Sequence, residues 1–502
     1  MGAGPVGLVC AHLLAAQRLP VTLVERKSKL STHPSAHVIH PRAGEILRDL
    51  GLRDAMLQSM EPPANWKNFN YCASVTGTLY RTYDNFASPE YRRSMALSDV
   101  ETMHFPQHKL VDLLYRKLPP SVEVRTGTEI VDVKQGADSV TLHTRKGEKI
   151  ESDYVLACDG ANSAIRQRLG IALKGTDLLQ TFLNIHFISK QLGKLCAQRP
   201  AMINFIYNSK IIAALITHSL EEGEFIMQVP FLLSYDKIST LETDDYEDMV
   251  NSVAGVMLRD VQIKSVIPWK MGAQWAEQMS YQRTFLVGDA AHKMPPTGGF
   301  GMCTGLSDAR NICWKLAFPG LLDTYSPERL GVVKRIVQQS VARFHQLTAI
   351  SSSCNLNYSM FSTVKGICDR LPFGDMFLQS SIQVGEMLFS DSGLASYLLD
   401  DSKLLRLLYP EEDLEQRVSE GFVSPSGGSF CPKFPVRHHG KEYSARELPA
   451  VVLKEAGRWK FVHLQGQKAA QLPDKVPIYQ IPIPGQDSYV LRPDALLYSR
   501  SS

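Results

Sequence analysis

The residues best placed to do chemistry begin at the second position. Gly2-Ala3-Gly4-Pro5-Val6-Gly7 is a GxGxxG opening an apolar, helix-type stretch from Leu8 to Gln17. A β-type run, Val21-Thr22-Leu23-Val24, then ends at Glu25, 18 residues after Gly7. In a dinucleotide-binding fingerprint the acid lies about 20 residues on. Gly2 permits the tight turn, Gly4 lets backbone approach a pyrophosphate, and Gly7 allows close helix–strand packing. The helix N-terminus offers free N–H groups to phosphate oxygens. Glu25 is placed to accept hydrogen bonds from ribose hydroxyls, and Arg26 beside it is a further candidate contact. The fingerprint also expects a strand before the first glycine, whereas only Met1 precedes Gly2. A central parallel strand buries both faces, so the expectation is a chain truncated or mis-started at this end.

Two more acids follow apolar runs. Tyr154-Val155-Leu156-Ala157-Cys158 leads into Asp159-Gly160, followed by a helix-type segment with Arg166 and Arg168. Thr284-Phe285-Leu286-Val287 leads into Gly288-Asp289-Ala290-Ala291-His292, then Pro295-Pro296-Thr297-Gly298-Gly299-Phe300-Gly301-Met302 and a helix over about 303–317. Each acid can be an ordinary glycine turn. In order behind a GxGxxG, they sit where open α/β sheets bind ligands, at carboxyl ends of strands. The Gly298–Gly301 stretch allows backbone to approach a planar ring.

These motifs need a parallel sheet with helices on it, and the segment between them has a different rhythm. From about 175 to 270 polar and apolar residues alternate, as in Thr181-Phe182-Leu183-Asn184-Ile185-His186-Phe187, which predicts antiparallel sheet. Phe205, Tyr207, Met227 and Trp269 are candidates to line a pocket on it, or plain core. Residues 330–408 read as mostly helical, 424–429 as a linker, and 459–464, 476–481 and 489–494 as strands of a short tail domain. The whole chain of 502 residues has room for roughly three domains of about 150. With 44% hydrophobic and 21% charged residues it has globular composition, and a net charge of +3 without a basic block argues against a nucleic-acid binder. The nine cysteines are scattered with no CxxC, so neither a zinc ribbon nor a dithiol redox motif is expected, and no metal site. No apolar run approaches the roughly 18 residues of a membrane span, and no secretory pattern opens the chain. The expected location is cytoplasmic.

Together the three motifs resemble the class A flavin-dependent aromatic hydroxylases, and within them the phenol and chlorophenol hydroxylase branch. Pro34 to Arg42, Glu45 to Leu52, Phe105-Pro106-Gln107 and Leu321 to Arg329 add to the resemblance. It implies an α/β fold: a Rossmann-type FAD-binding domain (1–175 and 276–345) with an inserted antiparallel-sheet substrate domain (176–275). A helical region (346–420) and a short thioredoxin-like C-terminal domain (430–502) complete it. It implies that Gly2, Gly4, Gly7, Glu25 and Arg26 bind the adenosine-diphosphate part of FAD. Arg42 and Gln107 would contact the flavin side, Asp289 would hold the ribityl chain, and Pro296, Gly299, Gly301 and Met302 would line the ring. Asp159 and Gly160 belong to a motif associated with both FAD and NAD(P)H, and Arg166 is a weaker candidate. His37, in a loop placed near the flavin, is the candidate catalytic residue, able to hydrogen-bond a phenol and ease its deprotonation; the plain alternative is a capping or exposed histidine. His292 is expected to shape its loop.

The activity so implied is a monooxygenase using NAD(P)H and O2 to hydroxylate a phenol through a flavin hydroperoxide, with a small aromatic substrate and a homodimer as partners. Open alternatives are a quinone or polyketide substrate, an uncoupled NAD(P)H oxidase, or a non-catalytic scaffold. Two departures from the family pattern are Cys303, where relatives often carry Asn, and the short Phe318-Pro319-Gly320 connection.

Overall fold

The computed structural model describes residues 1–87, 98–208, 210–231, 242–353, 429–430, 435–467, 478–483, 488–494 and 496–500. Its first helix spans Pro5–Ala15, starting three residues before the expected Leu8. Proline at the first helical position needs no N–H partner and brings its φ preset, and Gly4 caps it in extended conformation. The strand Val21–Val24 follows and pairs in parallel with Val122–Arg125. A second parallel pair joins Val155–Ala157 to Thr284–Leu286. Met1 and Gly2 lie between the pairs: Gly2 N donates to Val24 O at 2.7 Å, Cys158 N donates to Met1 O at 2.9 Å, and the Met1 amine donates to Leu156 O at 2.8 Å. Two residues of backbone thus link the two pairs. Glu25, Asp159 and Asp289 follow the carboxyl ends of three of these strands, as the motifs predict. The helices Gln107–Arg116 and Phe300–Lys315 pack along Pro5–Ala15.

The alternating segment forms an antiparallel-rich sheet of eight strands. Its order is 292–293, 262–276, 173–188, 224–231, 212–219, 203–207, 68–72 and 79–84. The last two strands come from well before residue 175, and 68–72 joins 203–207 in parallel. Side chains alternate between the two faces. One face, with Leu183, Ile185, Phe187, Leu215, Phe225, Met227 and Val229, packs under the helix Thr243–Ala254 through Val250, Val253 and Ala254. Met227 is therefore core and does not line a pocket with Phe205 and Trp269. Across the opposite face runs a row in register, Tyr71–Phe205–Ala214–Gln228–Asn184–Ile267. Phe182 and Trp269 pair one step along, with ring centroids 5.7 Å apart.

Helix Tyr325–Ser353 covers the described part of the stretch expected to be helical. Residues 354–428, with most of the expected linker, lie outside the described residues. The C-terminal sheet has the order 429–430, 496–500, 489–491, 461–465, 478–482. Only the 461–465/478–482 pair is parallel. No described helix is long and apolar enough to cross a membrane.

Buried charges hold this C-terminal unit to the nucleotide-binding half. Glu328 bonds Arg492 at 2.8 Å and Lys315 at 3.0 Å, and Arg492 also bonds Asp494 at 2.8 Å. Arg310 bonds Asp49 at 3.0 Å beneath the Trp459 ring, and Arg446 reaches Glu45 at 3.4 Å. Burial alone would raise the Glu328 carboxyl; Arg492 and Lys315 more than offset it and hold the group down at about 2. Such a seam adds little net stability over an apolar one, yet losing one partner strands the others in low dielectric. Glu328→Ala is therefore expected to cost about 3–5 kcal/mol, read from the urea midpoint. Because the folded carboxyl is depressed from 4.5 to about 2, its contribution is complete above pH 4.5. The stability gap between wild type and Glu328→Gln is expected to close as the pH falls through that window.

Candidate functional site

The turn at the chain's start is built by contact between backbones. A Cβ on Gly7 would lie 1.9 Å from Gly2 O, and one on Gly2 (φ +89°) would lie 2.3 Å from Cys158 O. A Cβ on Gly4, by contrast, would meet nothing within 4 Å. Gly2 and Gly7 lock the turn against the strand end, while Gly4 leaves the helix N-terminus open to an incoming group. Glu25 braces the same turn, accepting from Ala3 N at 2.8 Å and Lys27 N at 2.9 Å. Each carboxylate oxygen keeps a lone pair for a further donor. Arg26 is exposed beside it.

Asp159 caps its short helix, with Oδ2 accepting from Ile165 N at 3.1 Å. Its Oδ1 is buried and has no hydrogen-bond partner among the described residues. Gly160 (φ +81°) faces open space. Arg166 ties this turn to the next one by donating to Ala290 O at 2.9 Å. Asp289 keeps exposed surface. Its carboxyl is nevertheless pushed above the ordinary range, because surrounding protein strips it of solvent.

A carboxylate that sequence reasoning passed over sets the position of Asp289. Asp308, fully buried on helix Phe300–Lys315, accepts from Gly288 N at 3.1 Å, His292 Nε2 at 2.8 Å and Arg329 Nε at 2.6 Å. Burial would raise Asp308; Arg329 and His292 outweigh that and keep it ionised. His292 thus shapes its loop, as expected. Gly288 and Gly305 were passed over too: a Cβ on Gly305 would sit 2.7 Å from Val6 Cγ2 and 3.1 Å from Gly288 Cα. Their signal was available, since glycine at two contacting turns is how two backbones come close. Along the following loop, Pro296 is exposed, Gly299 (φ +66°) lies against Val38, Gly301 is open, and Met302 is buried in the core.

The third wall pairs Val38–Ile39 with Met103–His104. Gln107 clips it: Gln107 N donates to Ala36 O at 2.7 Å, and its Oε1 accepts from Ala36 N at 3.3 Å. His40 Nε2 donates to Gly298 O at 2.7 Å, and Cys303 Sγ contacts both His40 N and Val38 O at 3.4 Å, fixing this wall to the glycine loop. Arg42 turns toward the C-terminal unit. Its guanidinium donates to Glu45 at 2.8 Å and to the carbonyl of Asp494.

His37 faces the sheet and does not stand alone. Its ring centroid lies 4.9 Å from that of His104 and 5.4 Å from that of His218, and His104 stacks on Trp66. Beyond His218 come His108 and His186, both on Glu224 Oε1 at 3.5 and 3.1 Å, and His33, bonded to Ser265. Burial pushes His37 and His40 down to about 4, and His104 and His218 well below the usual imidazole range. His37 Nδ1, His104 Nε2, both nitrogens of His218 and Asn184 Oδ1 are buried with no hydrogen-bond partner among the described residues. Neutral imidazoles with spare donors and acceptors therefore line the junction between the nucleotide-binding half and the aromatic sheet face.

Gly4→Ala should leave the melting curve of the apo chain unchanged and weaken FAD binding at least tenfold, because only an incoming group occupies that space. Gly7→Ala should lower both. The neutral histidines fix a pH response as well. The unfolded chain binds protons below about pH 6.5 that folded His37 and His40 refuse until about pH 4. Stability should therefore fall on acidification across that window by about 1.4 kcal/mol per pH unit for each such histidine. His37→Gln should flatten the slope of midpoint against pH.

Comparison with known proteins agrees with this geometry. The family profile described as "FAD binding domain" matches residues 1–340. The chain is 29% identical over 364 residues to 2,4-dichlorophenol 6-monooxygenase of Delftia acidovorans, covering 68% of this chain and 61% of that protein. It is 30% identical over 366 residues to 4-methyl-5-nitrocatechol 5-monooxygenase of a Burkholderia species, covering 68% and 66%. It thus spans about three-fifths of the length of the first of these relatives. In fold it is similar to the flavin-dependent monooxygenase PieE solved with FAD and substrate, with a TM-score of 0.74, 22% identity and coverage of 100% of this chain and 95% of that one. Aklavinone-11 hydroxylase, solved with FAD and aklavinone, gives 0.72 and 20%, with coverage of 100% and 94%. The chain belongs to the FAD binding domain family and has the FAD-binding hydroxylase fold, with mixed α/β content and one large sheet.

Proposed function

We propose that the protein is an FAD-dependent monooxygenase that uses NAD(P)H and O2 to add a hydroxyl group to a phenolic or related aromatic substrate. One observation carries the reading: unpartnered, buried, neutral imidazole nitrogens meet an aromatic sheet face beside a nucleotide cradle. The relatives named above act on a chlorophenol and a nitrocatechol, ring-hydroxyl compounds of the kind such a surface suits. We read 1–175 and 276–345 as the FAD-binding domain and 176–275 with the strands at 68–84 as the substrate sheet; the expected helical region, 346–420, lies mostly outside the described residues. Residues 430–502 are read as a thioredoxin-like unit, supported in the described residues by a parallel pair at one sheet edge, antiparallel strands continuing from it and one helix beside it.

The cradle suits FAD. Gly4 offers open backbone, Asp159 Oδ1 is buried with no hydrogen-bond partner among the described residues, and desolvation raises the Asp289 carboxyl. Gly2, Gly4, Gly7, Glu25 and Arg26 would hold the adenosine diphosphate, Asp159 and Gly160 its neighbourhood, Asp289 the ribityl chain, and Pro296 to Met302 with Gln107 the ring. When bound, FAD supplies hydride acceptance and oxygen activation. The sheet and the 36–40 wall exclude water from the junction, and Phe205, Tyr207, Phe182 and Trp269 orient an aromatic ring. His37 Nδ1 takes the substrate hydroxyl as a hydrogen-bond partner. With its basicity lowered by burial to about 4, His37 works as a neutral acceptor that orients the substrate hydroxyl, since burial makes a full proton on it unfavourable. NAD(P)H is a transient visitor, for the chain has no second GxGxxG.

The test is coupled turnover by the full chain reconstituted with FAD, following NADPH loss, H2O2 and hydroxylated product over a panel of phenols. His37→Gln should lower product formation roughly 100-fold while leaving FAD affinity unchanged, so reducing equivalents shift to H2O2. Stoichiometric H2O2 with every phenol, and no hydroxylated product, would establish an oxidase instead.

A further inference from the structure

We infer a divalent-cation site on the C-terminal unit, formed by His438, His439 and Glu455, whose ligand atoms all lie within 4.8 Å of one another. The flavin reading plays no part in it. His438 closes the strand Pro435–His438, and His439-Gly440 makes the turn into Lys441–Ser444. Successive residues of an extended chain point to opposite faces, so neighbouring imidazoles ordinarily diverge. Here His439 adopts φ +49°, a left-handed conformation uncommon outside glycine. The two rings come to the same side with centroids 4.1 Å apart.

Both imidazoles then address one atom. His438 Nε2 lies 3.0 Å and His439 Nε2 3.9 Å from Glu455 Oε2, on the helix Leu448–Ala456. Nitrogen and oxygen ligands about 2.0–2.2 Å from a tetrahedral Zn²⁺ stand roughly 3.3–3.5 Å from one another, and the two observed spacings bracket that range. A hydrogen bond accounts for His438 and Glu455 alone. It does not account for His439, whose side chain is 71% exposed yet turned onto the same carboxylate. Tyr479 donates to Glu455 Oε2 at 3.3 Å, the outer hydrogen bond that orients a ligating carboxylate. Two neutral imidazoles and one carboxylate, with a position left for water, suit Zn²⁺, and Cu²⁺ would bind the same set. The ion would pin the hairpin 435–444 to the helix that follows. The connection between them carries Arg446 and Glu447, whose partners Glu45 and Arg48 belong to the nucleotide-binding half. The cation site would thereby brace the seam described above.

The experiment titrates EDTA-stripped full-length chain with ZnCl2 against a chromogenic chelator. His439→Asn removes the imidazole while retaining a residue that tolerates the left-handed backbone, and Glu455→Gln removes the charge while retaining an acceptor. We expect one equivalent of Zn²⁺, held at least tenfold more weakly by either variant, with circular dichroism unchanged. Loading with Cu²⁺ should give an electron paramagnetic resonance signal with coupling to two imidazole nitrogens, reduced to one in His439→Asn. Failure of the wild type to compete for Zn²⁺ overturns the proposal. So does equal binding by wild type and both variants, which would place the ion elsewhere, for instance at His186, His108 and Glu224.

Discussion

One buried carboxylate organises the floor of the site. Asp308 accepts three hydrogen bonds, a backbone amide and an imidazole from the 288–292 turn and a guanidinium from the long helix that follows. Together with Arg166, which donates to Ala290 O at 2.9 Å, it fixes the Gly288–Ala290 turn against the helix and so sets the position of Asp289. Arg329 arrives from the long helix beginning at Tyr325, so that helix is tied to the same point. Tyr325, donating to Leu286 O at 2.7 Å, fastens it to the strand that leads into the turn. The carboxylate survives in the interior only because its compensating charge is equally buried.

The nucleotide-binding half was largely legible in the sequence, because glycines whose Cβ would collide with backbone leave a spacing pattern. Gly2 and Gly7 are such positions, and the acids at strand ends follow from topology. The alternation at 181–187 likewise announced an antiparallel sheet. What could not be read was which alternate set faces the cavity. Met227 and Phe205 look alike as sequence, and only the register of 224–231 against 173–188 puts Met227 under the helix. The strands at 68–72 and 79–84 were illegible for a related reason: they form an antiparallel pair whose first strand joins the sheet by parallel addition over a long separation.

His37 stood out in the sequence as a single residue, whereas the structure gives it company. Six histidines gather from the loop at 33–37, the strand end at 104, the helix start at 108 and the strands at 186 and 218, at sequence distances no local pattern can encode. Arg42 shows the same limit. Its pair with Glu45 is a local contact three residues on, but its bond to the Asp494 carbonyl depends on a unit more than 400 residues later. The seam of buried ions therefore reaches to the edge of the nucleotide cradle.

The row Tyr71–Phe205–Ala214–Gln228–Asn184–Ile267 takes each of its side chains from a different strand. The backbone ladder beneath it is indifferent to what those six positions carry, and the opposite face keeps its own core. Change at any one position alters the face without disturbing its neighbours' register. A surface made this way is modular in evolutionary terms: its side chains can change one at a time while the register of the strands beneath stays constant.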